Sequence, residues 1–372
     1  MKKACRLLLK IISILFLSAF LFLILGFFAI RFGLTNVAGE EDGNSFAYNQ
    51  ISEESPLNFI NASLPENGSI YGEKENLNWC RLGLAAENAP REAKEMLKAY
   101  LDTKSEELLK RMILALELRK GSESAFSASL NACDNEAGKW NKESLESYLS
   151  DKNSDSAYTW QNTEYWQIIK EAILKDREKI EQASAAAGIQ PRLLVSVAIV
   201  EQLRLYYTQR EFYEKFFRPL KILANANKMA WGVMSIKEKM AIQTEEHLRD
   251  QNSSFYLGKD KEKLLNFPEQ ADVAKERYNR LTDEHNHYYS YLYGALIIKQ
   301  LQAQWRQAGY SIDYRPEIIA TLFNIGFDRS RPKAEPAVGG STLEINGEKY
   351  FFGSLAFEFY YSGELSEYFP FE

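Results

Sequence analysis

The sequence lacks any basic run beyond its first ten positions, and its 45 basic residues are outnumbered by 51 acidic ones. This charge balance offers no extended surface for phosphates, so nucleic acid is excluded as a partner class. The three histidines and three cysteines have no zinc or haem spacing, so we expect no metal and no cofactor. Internal repeats and low-complexity tracts are also absent. The length of 372 residues predicts two or three structural units.

One apolar run near the N-terminus is long enough to cross a membrane. Residues 11–30, which begin with Ile11 and end with Ile30, carry no charge, and four basic residues precede them. About 20 such residues form one membrane-spanning helix. The positive-inside bias places the rest of the chain on the extracytoplasmic side of the cell membrane. A cleaved signal peptide is the alternative, although its apolar core usually has about 7 to 15 residues.

Two of the cysteines lie beyond this predicted membrane anchor. Cys80 and Cys133 would both be outside the membrane, where a disulfide can persist, whereas Cys5 would be on the inner side. We therefore predict a disulfide between Cys80 and Cys133. Two unpaired buried thiols are the alternative.

The chain divides into four predicted regions. Residues 1–34 are the cytoplasmic end and the anchor, and residues 35–75, with eight acidic residues and one lysine, are typical of a flexible stalk. Residues 76–155 form a small helical module. Its helical stretches are NAPREAKEMLKAYL, with Pro90 in the first turn, and SEELLKRMILALELRKG, which ends at Gly121.

The fourth region, residues 156–372, is also predicted to be helical for most of its length. A long amphipathic helix ends at Gly188, and Pro191 begins the next one. YYSYLYGALIIKQLQAQWRQAG and RPEIIATLFNIG supply two more helices. Asn346 and Gly347 separate two runs of alternating apolar residues, which is a strong hairpin signal. The predicted fold class is mainly α with a small C-terminal β-hairpin.

A single carboxylate interrupts the apolar segment LLVSVAIVEQLR. At about 100° per residue this helix is apolar all round, so it is predicted to be central and Glu201 to lie in a buried setting. An unpaired ionised carboxylate there would be costly. Two solutions remain open. Glu201 either pairs with an arginine or lies in a cleft wall with a raised pKa, as a general acid requires.

Four segments in order resemble the lytic transglycosylases of the lysozyme-like superfamily. GIQPRLLVSVAIVEQ is similar to the helix that bears the catalytic glutamate, and WGVMSI resembles the family's Gly-Leu-Met-Gln-Ile motif. YLYGALIIKQL is similar to the helix with the Gly-x-x-Tyr-Leu pattern. IIATLFNIG resembles the Ala-x-Tyr-Asn-Ala-Gly motif. The resemblance spans roughly residues 160–330 and implies a lysozyme-like domain.

The resemblance implies that Glu201 protonates the glycosidic oxygen between N-acetylmuramic acid and N-acetylglucosamine of peptidoglycan. The implied substrate-binding residues follow the same motifs: Gln202, Gly232, Met234, Ser235, Phe323 and Asn324. Three of these positions depart from the family pattern. Gln202 replaces the usual serine, Ser235 replaces glutamine, and Phe323 replaces the tyrosine that would contact the catalytic carboxylate. A helix-end cap is the alternative role for Asn324.

The resulting prediction is a membrane-anchored lytic transglycosylase that acts on peptidoglycan glycan strands. A hydrolase of the lysozyme type would need a second carboxylate across the scissile bond. The sequence spacing of the available acidic residues does not single out one of them for this role: Glu211, Glu214, Glu245 and Glu246. The competing class is an inactive envelope protein that binds peptidoglycan or a protein partner through the same groove.

Overall fold

The computed structural model describes residues 2–31, 39–49, 68–121, 124–133, 139–207 and 230–371. This part of the chain is mainly helical, as predicted, with short antiparallel strand pairs. The helices are α1 (Lys2–Arg31), α2 (Ser45–Asn49), α3 (Gly68–Asn88), α4 (Pro90–Thr103), α5 (Glu106–Lys120), α6 (Ala125–Ala132), α7 (Lys142–Ser150), α8 (Glu164–Lys175), α9 (Arg177–Ala187), α10 (Pro191–Tyr207), α11 (Glu238–Arg249), α12 (Val273–Thr282), α13 (Tyr288–Gln307), α14 (Pro316–Ile325) and α15 (Phe352–Tyr361). The strands are β1 (Glu40–Glu41), β2 (Ala230–Trp231), β3 (Ile236–Lys237), β4 (Gly339–Gly340), β5 (Thr342–Ile345) and β6 (Glu348–Phe351).

Local signals account for the ends of several helices. Pro90 begins α4 and Pro316 begins α14, where the missing N–H of proline costs no helical hydrogen bond. The hydroxyl of Ser105 accepts a hydrogen bond from the Leu108 N–H at the start of α5. Gly121 has a φ of +94° directly after the last residue of α5. The predicted helix boundaries are confirmed at these positions.

The long helix predicted to end at Gly188 is two helices instead. α8 ends at Lys175 and α9 begins at Arg177, with Asp176 between them at a ψ of 7°. The Asp176 carboxylate accepts the hydroxyl of Tyr291 on α13 at 3.2 Å and contacts the Nδ1 of His287. These contacts with α13 coincide with the break and come from residues more than a hundred positions away. The local spacing, which is helical throughout, therefore gave no sign of the break.

One hydrophobic core joins the predicted helical module to the rest of the chain. Buried side chains of α3, α4 and α5 are continuous with those of α10, α13, α14 and α15. α15 packs against α5, α10 and α14. The predicted disulfide between Cys80 on α3 and Cys133, directly after α6, is present. The module is thus part of the same folded body, although its helices follow one another in sequence.

The C-terminal hairpin is confirmed. β5 and β6 pair antiparallel, with Thr342 opposite Phe351 and Ile345 opposite Glu348. Asn346 and Gly347 in the turn both have positive φ, at 51° and 85°. A two-residue turn of this kind follows the right-handed twist of the strands, and asparagine followed by glycine adopts it at little cost.

Part of the predicted stalk packs on the folded body rather than extending away from it. Within residues 35–75, β1 pairs with β4, and Tyr48 is buried against Phe357 of α15 at a ring distance of 5.0 Å. Arg315 donates a hydrogen bond to the Asn49 side chain at 2.9 Å. The acidic composition predicted a solvated segment, but these long-range contacts hold residues 39–49 against the folded body. Residues 68–75 begin α3, and residues 50–67 lie outside the described part.

The predicted anchor coincides with α1. In the described part of the chain, no single helix has both the length and the apolar composition needed to cross a membrane, whereas the bent pair of α9 and α10 has both. Twelve of the 17 residues of α10 are buried in this protein. The anchor over residues 11–30 and its topology stay predictions.

Candidate functional site

The first motif forms most of α10, the helix that bears Glu201, and the other three motifs lie against this helix. Leu193, Leu194, Val195, Val197 and Ile199 are all at most 2% exposed, so apolar neighbours cover every side of the helix. The buried Arg192 fixes the first turn, because its Nε donates to the Tyr360 carbonyl at 2.9 Å and its Nη1 to the Phe369 carbonyl at 3.0 Å. Burial lowers the pKa of Arg192 to about 10, which still leaves the guanidinium charged at neutral pH. The prediction of a central helix is confirmed.

Glu201 lies on the described helix in contact with Arg204, one turn later. Its side chain is 3% exposed and that of Arg204 is 6% exposed. The Nε of Arg204 donates to the Oε2 of Glu201 at 3.1 Å, and Nη2 also reaches this oxygen. Residues three apart on a helix face each other, so the pair needs no distant chain segment. Of the two solutions for a buried carboxylate, the arginine pair is the one present in this structure.

The second motif lies directly against α10. The Gln202 side-chain amide donates to the carbonyl oxygen of Val233, in the turn between β2 and β3. Gly232 has a φ of +68°, and a Cβ at this position would lie 2.0 Å from the Leu281 carbonyl oxygen. Only glycine fits such a place without movement of the backbone. The sequence-predicted Gln202 and Gly232 are thus brought together by the packing of one turn on one helix.

Met234 and Ser235 complete this turn, and both residues are buried. Met234 is fully buried, and its backbone N–H donates to the hydroxyl of Ser290 on α13 at 3.3 Å. Ser235 is 8% exposed with a φ of +48°, and its N–H closes the turn onto the Gly232 carbonyl at 3.0 Å. Both residues therefore shape the turn in this structure.

The third motif joins the same cluster through a glycine on α13. A Cβ at Gly294 would lie 2.7 Å from the Met234 Cε and 3.4 Å from the Leu194 Cδ1. The absent side chain allows α10, α13 and the β2–β3 turn to meet at one point. Three of the four predicted motifs are therefore in direct contact.

The fourth motif, on α14, also packs against α10, but its two predicted residues have structural contacts. Phe323 is 3% exposed and lies in the core. The Asn324 Oδ1 accepts the Ser341 backbone N–H at 2.8 Å, and its Nδ2 donates to the Ser341 hydroxyl at 3.1 Å. The alternative role of helix-end cap is wrong, because this amide binds the segment between β4 and β5. In this structure Asn324 fixes that segment to α14.

Among the candidate second carboxylates that the structure describes, Glu245 is buried with a defined set of partners. Arg277 donates to both of its oxygens, at 2.6 and 2.8 Å, and the Tyr293 hydroxyl donates to Oε1 at 2.6 Å. Burial, and then the charge of Glu245, raise the pKa of Tyr293, which keeps that phenol protonated as a donor. Glu245 is 3% exposed and satisfied by these donors, as expected for a structural group. Glu246 is exposed, and Glu211 and Glu214 lie outside the described residues.

Sequence reasoning missed two residues that contact the predicted site residues. Arg204 was visible as a basic residue at helical spacing from Glu201, so the pair could have been found by testing positions three and four residues away. Ser341 had no comparable signal, because it meets Asn324 only after the chain has folded.

No family model, no curated protein and no solved structure matches the chain.

Proposed function

We propose that the chain is a lytic transglycosylase with a lysozyme-like domain that cleaves glycan strands of peptidoglycan. The observation that supports the proposal best is the contact between the motifs. Gln202 donates a hydrogen bond to the turn of the second motif, and Gly294 packs against both Met234 and Leu194. Sequence segments that resemble one family in the same order thus also lie together in space, around the helix that bears Glu201.

In the proposed reaction Glu201 serves first as an acid and then as a base. Its carboxylic acid donates a proton to the glycosidic oxygen, so the bond from this oxygen to the anomeric carbon of muramic acid breaks. The 6-hydroxyl of the same muramic acid attacks that anomeric carbon, and the Glu201 carboxylate accepts the hydroxyl proton. The product is an anhydro sugar, and Glu201 is again a carboxylic acid. This route needs no second carboxylate, which fits the satisfied contacts of Glu245.

The proposed substrate also sets the location of the protein. Glycan strands lie outside the cell membrane, and the charge pattern around residues 11–30 favours the same side for the folded body. We propose that residues 11–30 anchor the protein in the membrane as a single span. The folded body then meets peptidoglycan on the extracytoplasmic side.

A second candidate is an inactive protein that binds peptidoglycan through the same surface. The contact between Glu201 and Arg204 favours it, because a buried ion pair is a common structural role for a carboxylate in the core. In that case Glu201 stabilises the centre of the fold. Neutralising it would then break this pair, at a cost of about 3 to 5 kcal/mol.

Both candidates can be separated with the full-length protein in detergent and purified peptidoglycan. We expect the parent to release anhydro-muropeptides, identified by mass spectrometry, and Glu201→Gln to release at least about 10²-fold less, since it cannot donate the proton. Glu171→Gln is the matched control, because Glu171 is exposed on α8 and outside the motifs; it should keep the parental rate. A parent that binds peptidoglycan and releases no product, with a Glu201→Gln variant that unfolds more easily, would overturn the enzymatic proposal.

A further inference from the structure

The proposed acid is held in a buried contact with Arg204. Glu201 and Arg204 are both nearly inaccessible to solvent, and two nitrogens of the guanidinium reach one carboxylate oxygen. Charge-assisted pairs of this kind are among the stronger hydrogen bonds in proteins. In this arrangement Oε2 faces the guanidinium and is not presented to a substrate oxygen.

The proposed reaction therefore needs a second arrangement of these two side chains. In the first step Glu201 must be a carboxylic acid within about 3 Å of the glycosidic oxygen. The Oε2 atom, which Arg204 occupies here, must also become available or be replaced by Oε1. Because the partners lie three residues apart on one helix, their separation is a change of side-chain arrangement on α10.

We infer that Arg204 is a positioning residue that restrains Glu201 in an inactive ion pair, and that opening of this pair limits the rate of the proposed reaction. The inference rests on the proposed function. A minor open state that is populated at about 1 to 10% would keep the parental rate well below its maximum. Removing the guanidinium should then raise the rate by about tenfold to a hundredfold.

The test compares four proteins on soluble glycan strands: the parent, Arg204→Met, Arg204→Lys and the double variant E201Q/R204M. Methionine keeps much of the apolar stem of arginine but not its charge, whereas lysine keeps the charge and loses the planar fork. We expect kcat to rise at least tenfold in Arg204→Met with little change in KM, because substrate binding outside the pair is unaffected. Arg204→Lys should return most of the way to the parental kcat.

The double variant distinguishes an effect of Arg204 on folding from an effect on catalysis. It removes both members of this pair, so it tests whether a loss of stability in Arg204→Met comes from breaking the pair, and it should show no activity because it lacks Glu201. If Arg204→Met unfolds while the double variant folds, the pair is structural and the inference is overturned. Equal kcat in the parent and a folded Arg204→Met overturns the inference and leaves the proposed function in place. Absence of product from the parent and from a folded Arg204→Met would overturn the proposed function itself.

Discussion

Neutralising Glu358 should remove a pH dependence of stability that the structure assigns to this carboxylate. Glu358 is 5% exposed on α15, where its Oε1 accepts the Arg119 Nε at 2.8 Å and its Oε2 accepts the Trp160 Nε1 at 3.2 Å. Burial raises the pKa of Glu358 to about 7, although the attraction of Arg119 and both hydrogen bonds oppose the rise. The group joins α5 of the helical module to α15, so it reports on the stability of that junction.

The sign follows from proton binding in the two states. A raised pKa means that the folded protein holds the Glu358 proton at pH values where the unfolded chain has released it. The stabilisation is therefore complete below about pH 4.5 and is lost as the pH rises through about 7. At about 1.4 kcal/mol for each pH unit of difference, the free energy of unfolding changes by about 3 kcal/mol over that interval.

Denaturant unfolding at a series of pH values between about 4.5 and 8 measures this change. Glu358→Gln should lose less stability than the parent over the interval, by about 3 kcal/mol. Glu348→Gln is the control, because Glu348 also contacts Arg119, at 2.7 Å, but its side chain is 44% exposed. It should retain the parental slope. Parallel curves for the parent and Glu358→Gln would refute the assignment.

Two further predictions concern the stability of other places in the fold. Gly232→Ala should destabilise the protein by at least about 1 kcal/mol more than Gly309→Ala in denaturant unfolding. Both glycines have a positive φ, but only a Cβ at Gly232 meets a backbone oxygen, that of Leu281, whereas Gly309 has open space; equal losses would contradict the clash. Cys133→Ser should cost about 4 kcal/mol by loop entropy, because the bridge to Cys80 closes a loop with a sequence separation of 53. An unchanged unfolding midpoint under non-reducing conditions would contradict this.

Much of the helical fold follows from signals that lie within a few residues of each other. Pro191 begins α10, Ser105 and Gly121 flank α5, and Asn346 with Gly347 turns the hairpin. In each case the residue fits a local backbone requirement, either an unpaired group at a helix end or a positive φ in a turn. The boundary can therefore be predicted from the sequence alone.

The features that sequence reasoning missed depend on contacts between distant residues. The break at Asp176 coincides with its contacts to α13, and the docking of residues 39–49 depends on the pairing of β1 with β4. Some motif residues do lie together in this structure, since Gln202 meets the turn of the second motif. Their individual roles were harder to predict, because the spacing of Asn324 does not reveal its binding to Ser341.

Glu201 shows why sequence leaves a catalytic and a structural carboxylate unresolved. Both need an apolar helix around them, one to hold a proton and the other to exclude water from an ion pair, so the surrounding residues look alike. The two roles differ in their response to neutralisation. Glu201 lies in the ion pair with Arg204 under either role, so Glu201→Gln breaks a buried pair and can lower stability in both cases. Product release therefore separates the two roles. An active parent whose folded Glu201→Gln variant releases at least about 10²-fold less product has a catalytic Glu201.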